Sequence, residues 1–298
     1  MRTQKRFTPA LIERFRRQGR GIGTFENYMP WHRVGRGDPS SMGRSHLMVW
    51  RNRQREMLSD GEWVGLLFSI MLNNLVDVRE QFPLTLEGGP FELGDYDARF
   101  MGRIFPGTKE IARKLGFKHP RVHGDGGVKD WVMTTDQVLL LRRPDDQFEL
   151  LALSYKPDGT VLTKRARQLL AIEAAYWAAR SVQWLLITPD LFDEPVGLTL
   201  RRSAPWGLGT PVAASDIRTA VSVAEDLLGH SLHYTLEALV DHFADSDLAQ
   251  RAFWQAVWCG ALPLQLRRGW RPHIPLQLLD KRGFDAQNPV VSRRTAWN

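Results

Sequence analysis

The sequence predicts an α/β protein in two parts, a mixed helix-and-strand core followed by a mainly helical C-terminal region. Residues 59–190 alternate between helical and strand-like apolar patterns, which is typical of an α/β core. Beyond the glycine- and proline-containing stretch 201–215 the pattern becomes mainly helical, so we expect a domain boundary there. A chain of 298 residues is long for one ordinary domain and suits two.

Composition narrows the class of protein. No apolar run approaches the roughly 20 residues of a membrane span, and the N-terminus has no apolar core of a secretory signal, so we expect a cytoplasmic protein without a membrane partner. Cys259 is the only cysteine, which excludes an intramolecular disulfide and a zinc site built on several thiolates. Any metal must therefore bind to oxygen ligands or histidine.

Positive charge is concentrated at the N-terminus. Residues 1–58 contain 13 Lys and Arg against 4 Asp and Glu, whereas the remaining residues contain 27 against 29. A basic segment suits a polyanion, because each neutralised phosphate releases counterions. This pattern favours DNA as a partner, and the alternative is an arm that only improves solubility. The DNA-contacting candidates, including two from the C-terminal region, are Arg16, Arg17, Arg20, Arg36, Arg44, Arg267 and Arg268.

The N-terminal elements begin with capping signals. Thr8-Pro9 predicts a helix start and Gly19 its end, whereas 32–46 lacks any period and is typical of a mobile basic connection. Ser59-Asp60 caps a second, apolar helix whose first turn contains Glu62. We therefore expect a basic N-terminal segment, 1–58, joined to a catalytic domain.

Strands and helices then alternate. Residues 76–84 predict a strand and 108–116 a short helix, with 85–107 as a loop or insertion. The apolar runs 131–143 and 147–157 are separated by Pro144-Asp145-Asp146 and predict a hairpin in a buried sheet. A long amphipathic helix over 163–180 and a strand that begins at about Val182 complete the core, which we expect to span 59–204.

The C-terminal domain is expected to span 205–298. Three short helical segments precede two short strand-like pieces around Arg267 and Arg268, an order that indicates a winged helix-turn-helix. Trp254 and Trp258 lie four residues apart and are expected in the core rather than on a base-stacking surface. The tail from about residue 281 has no period, which indicates either a docking segment or disorder.

Three residues could carry phosphodiester hydrolysis: Glu62 on a helix, Asp136 within an apolar strand and Lys156 at the end of the next strand. An aspartate in VMTTDQVLLL is costly to bury unless it is paired or binds a metal. Carboxylates can hold a divalent ion, and a lysine can position water or neutralise charge in the transition state. The alternatives are a solvent-facing aspartate and an ordinary strand-end lysine.

Several ordered motifs over residues 10–190 resemble the TnsA family of bacterial heteromeric transposases. They are RRQGRGIGTFENYMPW, SSMGRSH, LSDGEWVGLLFS, VDVREQFPL, GFKHPRVHG, MTTDQVLLL, LSYKP, AIEAAYW and QWLLIT. The resemblance implies a restriction-endonuclease-like core. It also implies that Glu62, Asp136 and Lys156 are catalytic and that Mg²⁺, or Mn²⁺ in its place, is held by Glu62, Asp136 and the Tyr155 carbonyl.

One position departs from most nucleases of that fold. The residue two before the lysine is usually acidic, and here it is Ser154, which removes one carboxylate contact to the metal. The serine hydroxyl, a water or the Tyr155 carbonyl could complete the shell, because Mg²⁺ commonly keeps several waters. Glu173, on the helix after the lysine strand, is a secondary candidate, and a helix-surface glutamate is its alternative meaning.

The resemblance implies a subunit that cuts the 5′-side strand of double-stranded DNA at transposon ends. Its partners would be a TnsB-type DDE transposase and a TnsC-type AAA+ regulator. Two other functions stay open: an assembly factor that has lost activity, for which Ser154 is the evidence, and a free-standing restriction-type endonuclease.

Overall fold

The computed structural model describes residues 7–35, 38, 44–156, 162–269 and 271–297. It is a mixed α/β chain that divides into two compact units. The first comprises Met1–Trp63, Asn74–Leu186 and Trp297, and the second comprises Val64–Asn73, Ile187–Ala296 and Asn298. The predicted boundaries at 58/59 and 204/205 stay a prediction.

Within the described residues the helices are α1 (Pro9–Arg17), α2 (Asp60–Ile70), α3 (Thr108–Lys114), α4 (Lys164–Ala179), α5 (Glu194–Gly207), α6 (Ala214–Asp226), α7 (Leu232–Phe243), α8 (Ser246–Trp258), α9 (Leu266–Gly269) and α10 (Lys281–Ala286). The strands are β1 (His46–Trp50), β2 (Arg53–Met57), β3 (Leu75–Pro83), β4 (Gly89–Pro90), β5 (Ile104–Phe105), β6 (Arg121–Gly124), β7 (Gly127–Asp130), β8 (Thr134–Arg142), β9 (Phe148–Tyr155) and β10 (Gln183–Ile187). Across the described part of the chain, no helix has both the length and the apolar character needed to cross a membrane.

A four-stranded sheet in the order β10-β9-β8-β3 organises the first unit. Strand β8 pairs antiparallel with β3 and with β9, and β8 and β9 form the predicted hairpin. Their apolar residues are buried, among them Leu139, Leu141 and Leu151 at 0 % exposure. Such continuous apolar runs are expected when both faces of a strand are covered.

Helix α4 packs a buried face that includes Tyr176 and Trp177 in the first unit. Its N-cap is Thr163, whose side chain accepts a hydrogen bond from Ala166 N–H. The Trp177 indole donates to Thr135 Oγ1 of β8 at 2.8 Å. This contact fixes the helix against the strand that carries Asp136.

The N-terminal helix begins where its cap predicts. The Thr8 side chain accepts from Leu11 N–H, Pro9 occupies the first turn, and the buried Ile12 and Phe15 join a cluster with Trp31. The following hairpin, β1–β2, is joined to β3 by an ion pair of Arg53 with Glu80 at 2.6 Å. Basic side chains of this segment thus also have structural partners.

Two acidic residues of β3 are buried although their sequence pattern favours the surface. Asp77 and Glu80 alternate with apolar neighbours, which favours a solvated face or an ion pair, yet each is only 2 % exposed. The solvated face is wrong, and the ion pair is right for Glu80. Asp77 instead accepts from Tyr96 Oη at 2.7 Å and from Phe25 N–H at 2.8 Å.

The insertion 85–107 contains the short strands β4 and β5 and two 3-10 turns, Glu92–Asp95 and Ala98–Phe100. Buried Glu92 anchors it to α4, because Arg180 Nε lies 2.8 Å from Glu92 Oε2 and the Tyr176 hydroxyl donates to Glu92 Oε1. Arg180 Nη1 also donates to the Pro106 carbonyl at 3.1 Å. The insertion is therefore attached by polar contacts at both of its ends.

The second unit is helical, and it corrects two local expectations. Helix α5 continues through 201–207 with Pro205 inside it, although proline has no N–H to donate to the Arg201 carbonyl, and irregular chain follows only at 208–213. Residues Leu266–Gly269, expected as strand, form the short helix α9, flanked by an isolated bridge between Leu264 and Leu278. The tail contains α10, and Trp254 and Trp258 are buried as predicted.

Candidate functional site

Glu62 lies in the first turn of α2, where Ser59 holds it in a reciprocal pair. The Glu62 N–H donates to Ser59 Oγ and the Ser59 hydroxyl donates to Glu62 Oε1, both at 3.2 Å. Ser59 thereby satisfies a backbone donor at the helix start, and Glu62 orients the capping hydroxyl. Capping alone would therefore explain why a glutamate occupies this position, and the other contacts decide whether it does more.

Those contacts come from the chain before the helix and from the sheet. Leu58 N–H and Gln81 Nε2 each donate to Glu62 Oε2 at 2.9 Å, and Gln137 Nε2 donates to the Glu62 carbonyl at 3.0 Å. The side chain is only 9 % exposed. Burial, and next the charge of Asp136, raise the pKa of Glu62 to about 8.

Asp136 lies near the start of β8 and is held by the adjacent strand. Tyr155 N–H donates to Asp136 Oδ2 at 2.7 Å, and Lys156 Nζ lies 3.7 Å from the same oxygen. The aspartate side chain is 13 % exposed, so the solvent-facing alternative does not describe it. Within the described residues Asp136 Oδ1 accepts no hydrogen bond, which leaves one carboxylate oxygen open to a cation.

Lys156 follows β9 directly and is 35 % exposed. The charge of Asp136 is the largest cause that raises its pKa, although burial opposes it, and Glu173 and Glu62 add to the rise. The ammonium is therefore stabilised in its protonated form. A protonated amine has no lone pair to accept a proton from water, so this geometry favours charge neutralisation over general base chemistry.

Ser154 and Glu173 are joined beneath the site. The Ser154 hydroxyl donates to Glu173 Oε1 at 2.5 Å, and Thr135 Oγ1 donates to the same oxygen at 2.7 Å. Both are buried, so the helix-surface alternative for Glu173 is wrong. Burial, and next the charge of Asp136, raise the pKa of Glu173 to about 7.

The structure thus brings Glu62, Asp136, Lys156, Ser154 and Glu173 into one part of the first unit. Sequence reasoning missed the two glutamines that hold Glu62, Gln81 and Gln137. Their signal was a long polar side chain inside each apolar strand, VDVREQFPL and TTDQVLLL. Gln81 also has a φ of +48° within β3, a left-handed backbone that is unusual for a strand residue.

The donor set of this site is made of oxygen. Two carboxylates, Glu62 and Asp136, and the carbonyl of Tyr155 are the types of ligand that Mg²⁺ prefers. Burial and, after it, the charge of Asp136 raise the pKa of Glu62, and a cation would offset the repulsion between the two carboxylates. In the described ranges, no group of three or more Asp, Glu, His or Cys side chains could hold a metal. With two carboxylates and one carbonyl as ligands, a bound Mg²⁺ would keep part of its hydration shell.

The expected DNA-contacting arginines fall into different environments. Arg20 is 9 % exposed and donates to Asp38 Oδ2 at 2.6 Å, so its guanidinium already has a structural partner. Arg17 is exposed, Arg16 pairs with Glu13 at 3.0 Å, and Arg44 is 86 % exposed and 3.5 Å from Asp60. In the second unit Arg267 pairs with Asp193, and Arg268 donates to Gln277 at 3.1 Å. Arg36 lies outside the described residues.

The sequence was compared with protein families and with individual proteins. No family model matches the chain. The chain is 29% identical over 202 residues to the transposon Tn7 transposition protein TnsA of Escherichia coli. The alignment covers 67% of this chain and 63% of the relative, so it spans less than two thirds of the relative's length. This similarity confirms the resemblance to TnsA that the motifs indicated.

Proposed function

We propose that this protein is a metal-dependent DNA endonuclease subunit of a Tn7-type transposase, which hydrolyses the 5′-side strand at transposon ends. The single observation that carries the proposal is the convergence of Asp136, Lys156 and Glu62 in one partly buried polar site. The relationship to a transposition protein supports the biological setting. A hairpin that carries Asp136 and Lys156, preceded by a helix with Glu62, also supports a restriction-endonuclease-like core.

Glu62, Asp136 and the Tyr155 carbonyl are the residues that would hold Mg²⁺, with Mn²⁺ as a substitute. When bound, the ion supplies positive charge beside the scissile phosphate. Tyr155 N–H holds Asp136 in place through Oδ2, which leaves Oδ1 as the open ligand atom. Gln81 holds Glu62 through Oε2.

Lys156 keeps its proton at Nζ and stabilises the negative charge that develops on the phosphate oxygens. Asp136 orients this ammonium at 3.7 Å. Glu173 does not touch the substrate in this account. It holds the Ser154 hydroxyl and Thr135, and so positions the ends of β8 and β9 that present the reacting groups.

Assembly with other proteins belongs to the same proposal. Double-stranded DNA at transposon ends, a TnsB-type DDE transposase and a TnsC-type AAA+ regulator are the proposed partners. A winged helix in the second unit is supported by the three successive helices α6, α7 and α8, although Arg267 and Arg268 lie in the short helix α9.

Strand-specific cleavage of a labelled duplex from the end of the encoding transposon tests the function. Wild type is compared with Asp136→Ala and Lys156→Ala in Mg²⁺, with and without the cognate DDE transposase, after circular dichroism has shown that each variant is folded. We expect cutting on the 5′ side that both substitutions abolish. Equal products from wild type and both variants would contradict catalysis and support the assembly-factor function. Site-specific cutting by wild type without the transposase would support a free-standing endonuclease.

A further inference from the structure

The first unit has a second concentration of positive charge, outside the N-terminal segment. Its members are exposed and come from the end of α3, the loop after it and the first turns of α4. We name it the α3–α4 basic surface, and its residues are Arg113, Lys114, Lys118, Lys164, Arg165 and Arg167.

The two parts of this surface are neighbours in space. Arg180, at the C-terminal end of α4, donates to the Pro106 carbonyl just before α3. At the other end of α4, the charge of Arg165 contributes to lowering the pKa of His119, which follows Lys118. His119 Nε2 also lies 3.0 Å from Thr108 Oγ1, so the loop after α3 lies close to the start of α3 and near the first turn of α4, and this brings Lys118 near the basic start of α4.

Few carboxylates offset this charge. Glu110 is bound to Lys114 at 2.8 Å, and Asp130 is held by Lys109 and Arg121, both at 3.3 Å. Among the residues that the structure describes, the side chains of Lys118, Lys164 and Arg167 have neither a hydrogen bond nor an ion pair. The surface therefore keeps a positive charge that faces solvent, and a polyanion is its natural partner.

Helix α4 joins this surface to the candidate site, because it carries both Lys164 and Glu173. Nine residues separate them, which places their Cα atoms about 13 Å apart along the helix axis, and Arg167 is about 9 Å from Glu173. Phosphates on one strand of a duplex are spaced by about 3.4 Å of helix axis. Along the helix axis, the basic surface is therefore offset from Glu173 by the length of a few base pairs.

We propose that the α3–α4 basic surface binds the phosphate backbone of the duplex that flanks the cut position. This inference rests on the proposed function, and it adds a DNA contact region to that function. A binding surface of this kind positions the duplex without reading its sequence.

Duplex binding in EDTA, where no cleavage occurs, tests the surface separately from catalysis. The full chain and the double variant Lys118→Gln/Arg167→Gln are titrated with a labelled duplex of arbitrary sequence over a series of salt concentrations. The matched control is Arg142→Gln/Arg143→Gln, which removes the same charge from exposed arginines at the turn end of the β8–β9 hairpin.

The surface variant should lose roughly tenfold in affinity for each phosphate contact at about 0.1 M salt, and its salt slope should fall by about 0.9 per contact. The control variant should bind like wild type. Equal binding by wild type and the surface variant would overturn the proposal. The same titration with polyglutamate tests an acidic protein as the partner. A variant that keeps its affinity for duplex but binds polyglutamate more weakly would also overturn the proposal, since the surface would then bind an acidic protein.

The two proposals can fail separately. If the surface variant binds duplex weakly and wild type never cuts a transposon end, the surface is supported and the endonuclease proposal is contradicted. If wild type cuts transposon ends and the surface variant binds duplex as wild type does, only the surface is wrong.

Discussion

Glu62 serves two purposes at the level of one residue. Its carboxylate accepts from the Ser59 hydroxyl that caps α2 and from Gln81 of the sheet, so one side chain supports the start of α2 and lies near Asp136. A carboxylate has about four acceptor positions, and three are used by Ser59, Leu58 and Gln81. One acceptor position is left for a metal ion, so the hydrogen bond from Gln81 should strongly affect how Glu62 is oriented towards that ion.

Replacement of Gln81 by a shorter amide should weaken metal binding more than folding. Asparagine tolerates the left-handed backbone at this position, but its amide is one methylene too short to reach Glu62 as Gln81 does. We expect Gln81→Asn to raise the dissociation constant for Mn²⁺ by about tenfold, in line with a lost hydrogen bond to a charged group. Electron paramagnetic resonance of bound Mn²⁺ measures this.

The exposed Gln54 of β2 provides the control, as Gln54→Asn changes the same side chain away from Glu62. Identical Mn²⁺ affinities for Gln81→Asn and wild type would contradict a positioning role. An equal loss in the Gln54→Asn control would show that the effect is not local to the site.

Glu173 should make the metal-free protein less stable at higher pH. Its folded pKa of about 7 lies above the ordinary value of 4.5, so between these values the folded state retains a proton that the unfolded state has lost. The free energy of unfolding therefore falls as pH rises through this window, by about 3 kcal/mol at most for this group. Above this window Glu173 is ionised in both states, so its titration no longer makes the free energy of unfolding depend on pH.

Glu173→Gln should reduce this pH dependence, because glutamine resembles the protonated carboxyl and does not titrate. Urea unfolding in EDTA at about pH 5 and about pH 8 gives the two free energies for each protein. If the variant shows the same difference as wild type, Glu173 does not titrate in this window and its assignment as a buried, proton-sensitive group fails.

At the scale of elements, the β8–β9 hairpin accounts for most of the site geometry. The register pairs Gln137 with Leu153, so Asp136 and Ser154 face each other one step nearer the open end, and Tyr155 N–H can reach Asp136. The sequence predicts this hairpin well, since two apolar runs are separated by Pro144-Asp145-Asp146. It does not predict that Ser154 bonds to Glu173, because that contact depends on how α4 packs.

Dependence on packing between distant parts of the chain also explains where the structure differs from the sequence-based predictions. Arg53 and Glu80 are far apart in the sequence, and only the packing of the β1–β2 hairpin against β3 makes them a buried pair. Around Arg267 a basic, glycine-containing segment is compatible with a strand or a helical turn, and four residues are too few for periodicity to decide. Local patterns predict helices and strands more reliably than the partners of polar side chains.

The insertion 85–107 depends on a buried ion pair, so removal of one partner should be costly. Arg180→Ala would leave Glu92 buried without its main cation, and we expect a loss of about 3 kcal/mol in the free energy of unfolding. Urea denaturation measures the loss. The pair of the exposed Arg99 with Asp97 is the control, where Arg99→Ala should cost far less.

The double variant Glu92→Gln/Arg180→Ala distinguishes the pair from simple loss of packing. It should be more stable than the sum of the two single losses predicts, because the unpaired charge is also removed. Additive losses would show that Glu92 and Arg180 act independently and that the insertion is held by other contacts.

At the scale of the whole molecule, all the proposed catalytic residues belong to the first unit. The N-terminal surplus of positive charge suggested where DNA would bind, but charge counting cannot separate exposed cations from structural ones. Arg20, Arg53 and Arg55 are largely withdrawn from solvent and paired with acids, whereas the α3–α4 basic surface comes from a nearly neutral part of the sequence. The burial and ion pairing of each cation, and not the local count of charged residues, therefore determine which surface is positive.

The most direct test of the central claim, that Asp136 is catalytic, compares two aspartates of the β8–β9 hairpin. Asp136 lies at the site end of the hairpin, and Asp146 lies at the turn and serves as the control. Asp136→Asn changes the site, and Asp146→Asn makes the same substitution at the exposed turn, where asparagine tolerates the φ of +60°. Each protein is assayed for Mg²⁺-dependent cutting of the 5′-side strand of a transposon-end duplex in the presence of the cognate transposase. The account predicts full cutting by Asp146→Asn and none by Asp136→Asn, whereas equal cutting by both would contradict a catalytic site at Asp136.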